Sequence, residues 1–332
     1  MALGGWGVWS LVGMTLVNNA AGAILIWRTT DWRPRWREVS LARARELWPF
    51  SSRILGFNIL KALVQNVDRL VIGFVLGAGA LGIYTFAWRV VVFPVRVLSS
   101  ALGAYLFPKA SRLQHDHPAV RTQYLTIMAL LLSVVVPAMV AEALLAPVVI
   151  TGIFGTKWAS AVLPMQVLTV TALAGAFYPL AGDLVKAMNR PGWMVAWSAL
   201  YTVVSGGALW LGAGSGLIPA VIAMSVAHVL LLPVVLSMVN RAVGLRIGEA
   251  LTRWLPSVAG SAVLASIIWI ALRFTPLPSL SRAAVALLLG ALGHAAVLAY
   301  LDPELGRLLL GRTSPTAQLS GLARGPQVKE ES

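Results

Sequence analysis

Four of the twenty-six Lys and Arg side chains, Lys61, Arg69, Arg89 and Arg96, fall inside long apolar runs. A charge placed at the centre of a bilayer costs at least about 2.5 to 3.5 kcal/mol, so such residues face a cavity or a partner. In FNILKALVQNVDRLVIG, Asn58, Lys61, Gln65, Asp68 and Arg69 recur at spacings of three, four, three and one. On a helix that spacing forms one polar stripe. In the next run Thr85, Arg89, Arg96 and Ser100 recur at four, seven and four, with Pro94 between the two arginines. A guanidinium grips phosphate or carboxylate oxygens in a bidentate way, so two neighbouring cationic stripes suit an anion held in a wet cavity. The blander readings are that Lys61 or Arg69 pairs with Asp68 to tie helices together, and that Arg89 and Arg96 snorkel. Asp183 and Lys186, one turn apart, read as a local ion pair.

The elements that position these residues follow from composition. Of 332 residues 58% are hydrophobic and 11% charged, against about 25% charged in soluble domains. Apolar stretches near 5–27, 55–77, 81–103, 122–145, 160–185, 193–212, 216–239, 254–273 and 282–301 give nine candidate spans, each near the length of about 20 residues that crosses a bilayer. The fold class is therefore all-α, a polytopic membrane helix bundle. Pro94, Pro137, Pro164, Pro179, Pro219 and Pro233 interrupt spans, and each removes a backbone hydrogen bond that a neighbour or water must replace.

Charge sets the orientation. Arg28, Arg33, Arg35, Arg37, Arg43, Arg45 and Arg53 lie in the first connection. Lys109, Arg112 and Arg121, then Lys186 and Arg190, then Arg241, Arg246 and Arg253, then Arg307, Arg312, Arg324 and Lys329 fall on the same side. Nineteen cations thus share one side, whereas Lys157, Arg273 and Arg282 alone occupy the other. The positive-inside rule makes the nineteen-cation side and the C-terminus cytoplasmic. It also accounts for the net charge of +14 without nucleic acid as a partner. The Arg/Trp-mixed segment WRPRWREVSLARARELWPF reads as lying on the cytoplasmic surface, and the polar tail from Gly311 reads as disordered.

Other motifs carry little. GAGALG matches the dinucleotide fingerprint at Gly77, Gly79 and Gly82 but joins two apolar runs, so it reads as a tight turn. His115 and His117 flank Asp116 in a connection, as a solvated turn does, and no metal site is expected there. There is no Cys, and no HExxH, P-loop or hydrolase elbow, so no catalytic residues and no cofactor are expected.

Asn66 to Asp116, NVDRLVIGFVLGAGALGIYTFAWRVVVFPVRVLSSALGAYLFPKASRLQHD, closely resembles the central signature of polysaccharide and O-antigen flippases, within the superfamily of multidrug, oligosaccharidyl-lipid and polysaccharide exporters. GWGVWSLV, WRPRWR, FGTKWASAVLPMQVL and MNRPGW follow in the family's order. The resemblance implies two six-helix lobes and a final pair, about fourteen spans working by alternating access. It implies that this chain lacks the first five spans, that its substrate is a polyprenyl-pyrophosphate oligosaccharide amid membrane lipids, and that an N-terminal half, missing or separately encoded, is its partner. The expected organisation is a leftover N-lobe helix at 1–28, an inter-lobe segment at 29–50, a six-helix C-terminal lobe at 51–240, a final pair at 241–301 and a tail at 302–332, all in a bacterial inner membrane. The competing functions are a multidrug exporter, which would want an acid-lined cavity, and a membrane sugar transferase, which would want carboxylates near the exterior, where Glu142 alone lies. A non-functional remnant or non-transporting subunit is the remaining reading.

The alternation makes a direct prediction. Reporter fusions after Arg45, Arg112, Arg190, Arg246 and in the tail report cytoplasm, while fusions near Gly79, Trp158, Gly214 and Pro278 report the exterior; two or more inverted positions would overturn the nine-span topology.

Overall fold

In the computed structural model the described residues are 9–30, 65–190, 192–274 and 279–303, with single positions or pairs at 40, 45–46, 48–49, 51–52, 55 and 62. Asn58, Lys61, most of the basic segment and the tail from 304 onward lie outside them. Two compact units divide the chain at Lys61 and Ala62. The first contributes helix α1, Trp9–Thr29.

The second unit begins with α2, Val67–Arg112, which is broken at Gly77. Gly77 has φ 80° and ψ 179°, a combination open almost only to glycine. The chain reverses there: Asp68 meets Tyr84 across the bend, and Gly73 packs against Leu81. The GAGALG motif is thus a tight turn between antiparallel arms. There follow α3 (His117–Val149), α4 (Val162–Gly175), α5 (Phe177–Ala187), α6 (Gly192–Ala213), α7 (Leu217–Val243), α8 (Ile247–Phe274) and α9 (Ser279–Leu301). A short π turn, Ile150–Phe154, and a 3-10 turn, Thr156–Ala161, join α3 to α4. Seven helical segments among the described residues are long and apolar enough to cross a membrane. The α2 hairpin covers the third expected span and the described end of the second, and α1 stands at the first without being one of those seven.

The ends of the helices sort as the charges predict. At one end Arg121 donates to the Gly244 carbonyl at 3.0 Å and pairs with Glu249 at 3.4 Å, and Arg190 donates to the Arg241 carbonyl at 3.0 Å. Toward the other end Phe86 packs on Phe154 and Trp158, with ring centroids 5.0 and 4.3 Å away, and Gly152 meets Leu280. Among the described residues of this unit, the connections bearing Arg121, Arg190, Arg241 and Arg246 therefore meet at one end of the bundle.

Helix α3 is the centre. Tyr124, Ile127, Met128, Leu131 and Val135 are essentially inaccessible and join Tyr84, Leu168, Leu180, Leu209 and Met224 in one core. A second cluster ties Ala141 and Leu145 of α3 to Leu264 and Ile268 of α8 and to Ala283 and Ala286 of α9. Small residues let α8 and α9 approach closely: a methyl group at Gly260 would collide with the His294 ring. The outer surface is apolar too, with Phe74, Leu211 and Leu230 more than two-thirds exposed. Those side chains suit hydrocarbon.

The prolines behave differently from one another. Pro164 and Pro219 occupy first turns, where the N–H has no helical partner anyway; these two do not interrupt helices, contrary to the sequence expectation. Pro179 falls just after the break between α4 and α5, and Pro94, Pro137 and Pro233 lie inside helices. So does Pro147. Pro137 deprives the Ser133 carbonyl of its N–H partner, and the His294 ring supplies one, Nε2 lying 2.8 Å away. Pro147 does the same to the Ala143 carbonyl, which accepts from Gln166 Nε2 at 2.8 Å. Two polar side chains inside spans are thereby explained as replacements for lost backbone bonds.

This pairing predicts a coupling. His294→Ala destabilises the detergent-solubilised protein, and the loss shrinks by about 1 kcal/mol in a Pro137→Ala background, where the backbone N–H restored by the substitution serves Ser133 instead. Equal losses in both backgrounds, read by denaturant unfolding, would contradict it.

Candidate functional site

The second arm of α2 has two unlike faces. Tyr84, Ala87, Val91, Val95, Ser99, Gly103, Leu106 and Ala110, spaced by three or four, are buried in the bundle. The opposite strip carries Arg89, Phe93, Arg96, Val97, Ser100 and Phe107, all exposed. Arg89 and Arg96 stand two turns apart on that strip, about 10 Å along the axis. Neither has a hydrogen bond or ion pair to another described residue. The structure thus brings these two together, turned away from the core of their own unit.

The first arm splits the other predicted residues. Asp68 accepts a hydrogen bond from the Tyr84 hydroxyl at 2.7 Å, while Tyr84 is fully buried and also reaches Met224 Sδ at 3.9 Å. Arg69 turns back along its own helix and donates to Asn66 Oδ1; its Nε is buried without a partner among the described residues. Gln65 is exposed. Asp68 does tie helices together, but its described partner is a tyrosine rather than a cation. Asp183 and Lys186 form the expected local pair at 2.6 Å, with the Asp183 carboxylate against Gly103.

A second polar group is built by tertiary contacts. His228, buried in the middle of α7, places Nδ1 2.8 Å from the Met224 carbonyl and Nε2 2.8 Å from the Tyr201 hydroxyl of α6. A carbonyl only accepts, so Nδ1 carries a hydrogen, and Nε2 shares one with Tyr201. Tyr178 of α5 donates to the His228 carbonyl at 2.9 Å and packs edge-on against Trp197 at 5.0 Å. An ionisable residue inside the run LIPAVIAMSVAHVLLLPVVL is the signal that marks His228, by the same rule that marks the arginines. Its partners come from two other helices and have no shared sequence pattern.

Asp116 caps α3 by accepting from the Ala119 N–H at 3.0 Å, with Pro118 in the first turn. The HDH segment is a capping turn. Among the described residues no group of three or more His, Asp or Glu could hold a metal ion.

A long helix with arginines that have no partner among the described residues on its exposed face, set in a membrane bundle, is the geometry against which relatives can be compared. Residues 1–163 match the family described as polysaccharide biosynthesis protein. The teichuronic acid biosynthesis protein TuaB of Bacillus subtilis (strain 168) is 24% identical over 209 residues, covering 62% of this chain and 43% of that protein. The lipopolysaccharide biosynthesis protein WzxC of Escherichia coli (strain K12) is 27% identical over 177 residues, 53% of this chain and 36% of that one. The succinoglycan biosynthesis transport protein ExoT of Rhizobium meliloti (strain 1021) is 28% identical over 220 residues, 65% and 44% respectively.

Over the matched residues this chain is similar to proteins of polysaccharide biosynthesis. Its matches span less than half the length of those three proteins. The fold is also that of a solved structure, the lipid II flippase MurJ in an inward closed conformation, with a TM-score of 0.59 and 14% identity over 78% of this chain and 56% of that one. The resemblance first carried by NVDRLVIG through LQHD therefore holds at the level of both sequence and fold.

The Asp68–Tyr84 contact generates a stability prediction. Tyr84→Phe removes the donor to a half-buried carboxylate and lowers unfolding stability by about 1 to 3 kcal/mol. In an Asp68→Ala background the same substitution loses most of that effect; an unchanged loss would show that the hydroxyl does not serve Asp68.

Proposed function

We propose that this chain forms part of a flippase that moves a polyprenyl-pyrophosphate-linked oligosaccharide across a bacterial inner membrane by alternating access, without enzymatic chemistry. The observation that carries the reading is the exposed pair Arg89 and Arg96, two turns apart and unpaired among the described residues. Two guanidinium groups facing hydrocarbon would cost several kcal/mol. Facing a water-filled cavity closed by a second helical lobe, they instead offer bidentate sites for the pyrophosphate or acidic sugars. Phe93 between them and Val97 just beyond Arg96 leave apolar surface for sugar faces or the isoprenoid.

In this reading residues 51–240 are the C-terminal lobe, 241–301 the final pair, and the missing wall comes from an N-terminal half supplied in the same longer chain or separately. The greater length of the relatives supports such a wall. Lys61, Gln65 and Asn58 remain candidates for the same cavity, with Asp68 and Arg69 as positioning residues at its edge. The end bearing Arg121, Arg190 and Arg246 faces the cytoplasm, as does the C-terminus. Cationic, not acidic, side chains on the exposed strip favour this over export of cationic drugs.

Arg89→Ala and Arg96→Ala, each introduced where both lobes are present, abolish polymer export while protein level and membrane insertion stay normal. Lysine at either position retains part of the activity, since it keeps charge but loses the bidentate fork. Wild-type export by both alanine variants would remove these residues from the site.

A further inference from the structure

We propose that the groove between α6 and α7 at the basic end of the bundle holds an anionic phospholipid of the bilayer, its phosphate on Arg241 and one acyl chain in the slot. The groove has a volume of about 230 Å³ and is walled by Trp193, Trp197 and Leu200 of α6 and by Val234, Met238 and Arg241 of α7. Arg241 is its one charged lining residue. The Arg241 side chain is exposed and has no hydrogen bond or ion pair to another described residue, whereas its carbonyl accepts from Arg190.

Arg190 adds a second fixed cation. Its guanidinium lies 4.7 Å from the Trp193 ring centroid, held there by cation–π attraction and by the 3.0 Å bond to the Arg241 carbonyl. The acids of this end are already engaged, Glu249 by Arg121 and Arg246 and Asp183 by Lys186. The mouth of the groove is therefore cationic without a competing carboxylate among its lining residues.

The slot itself is preformed. Trp197, only 8% exposed, is wedged against Tyr178 and Tyr201 at 5.0 and 6.0 Å, so its ring cannot swing to close the gap. Apolar walls give nothing to a free phosphate ion, and a basic, tryptophan-edged pocket between membrane helices matches a phosphate that carries an acyl chain. The inference rests on the chain's being a membrane bundle and not on the flippase reading.

The test uses the full purified chain in detergent and native mass spectrometry, titrating dioleoyl phosphatidylglycerol against dioleoyl phosphatidylcholine. Phosphatidylglycerol is retained in preference, Arg241→Gln weakens its retention roughly fivefold, and Arg241→Lys keeps most of the preference. Leu200→Trp, which fills the slot, lowers retention of both lipids, and Arg112→Gln, at the same end but away from the groove, changes neither. No preference in the unmodified chain, an Arg241→Gln variant with the preference intact, or displacement of phosphatidylglycerol by an equal concentration of polyprenyl phosphate would overturn the proposal; the last would assign the groove to a substrate-like lipid.

Discussion

Inside a bilayer there is no water to complete a broken hydrogen-bond ladder, and every feature of this bundle is constrained by that fact. Helices satisfy their own backbones, so the described spans are helical apart from the step between α4 and α5. Proline is the exception each helix must manage. In α3, the helix on which the others pack, Pro137 and Pro147 free two carbonyls, and side chains from α9 and α4 close them. The polar atoms that look most out of place in the apolar core, the His294 ring and the Gln166 amide, are the ones that hold the final pair and α4 in register with α3.

The same constraint separates structural polarity from functional polarity. His294 and Gln166 are spent on the backbone, Thr171 on Ser225 at 2.7 Å, Asp68 on Tyr84 and His228 on Tyr201. Each bond joins two helices. Arg89 and Arg96 make no such bond to any described residue and stand on the face that the bundle leaves open.

The α2 hairpin is tied across its bend by Asp68 and Tyr84, and its buried stripe packs on α4, α5 and α6, so Arg89 and Arg96 stand on a helix held along its inner face.

How much of this was legible in the sequence depends on whether the cause is local. Hydrophobic length marks the apolar helices, loop charge marks the basic end of those described, and GAGALG announces a bend, because insertion cost, loop charge and the conformational freedom of Gly77 all act over a few neighbouring residues. The spacing of Arg89 and Arg96 likewise puts them on one face with no further information. Which face that is, outward rather than toward the lobe's own core, came only from the buried stripe of Tyr84 to Ala110 meeting other helices. Asp68 finding Tyr84 rather than Arg69, His228 gathering Tyr178 and Tyr201, and His294 reaching the Ser133 carbonyl that Pro137 frees, 161 residues away, are matters of which helices touch. A hydrogen bond falls off within an ångström or so of its ideal length, so side chains distant in sequence become partners only when packing brings them that close.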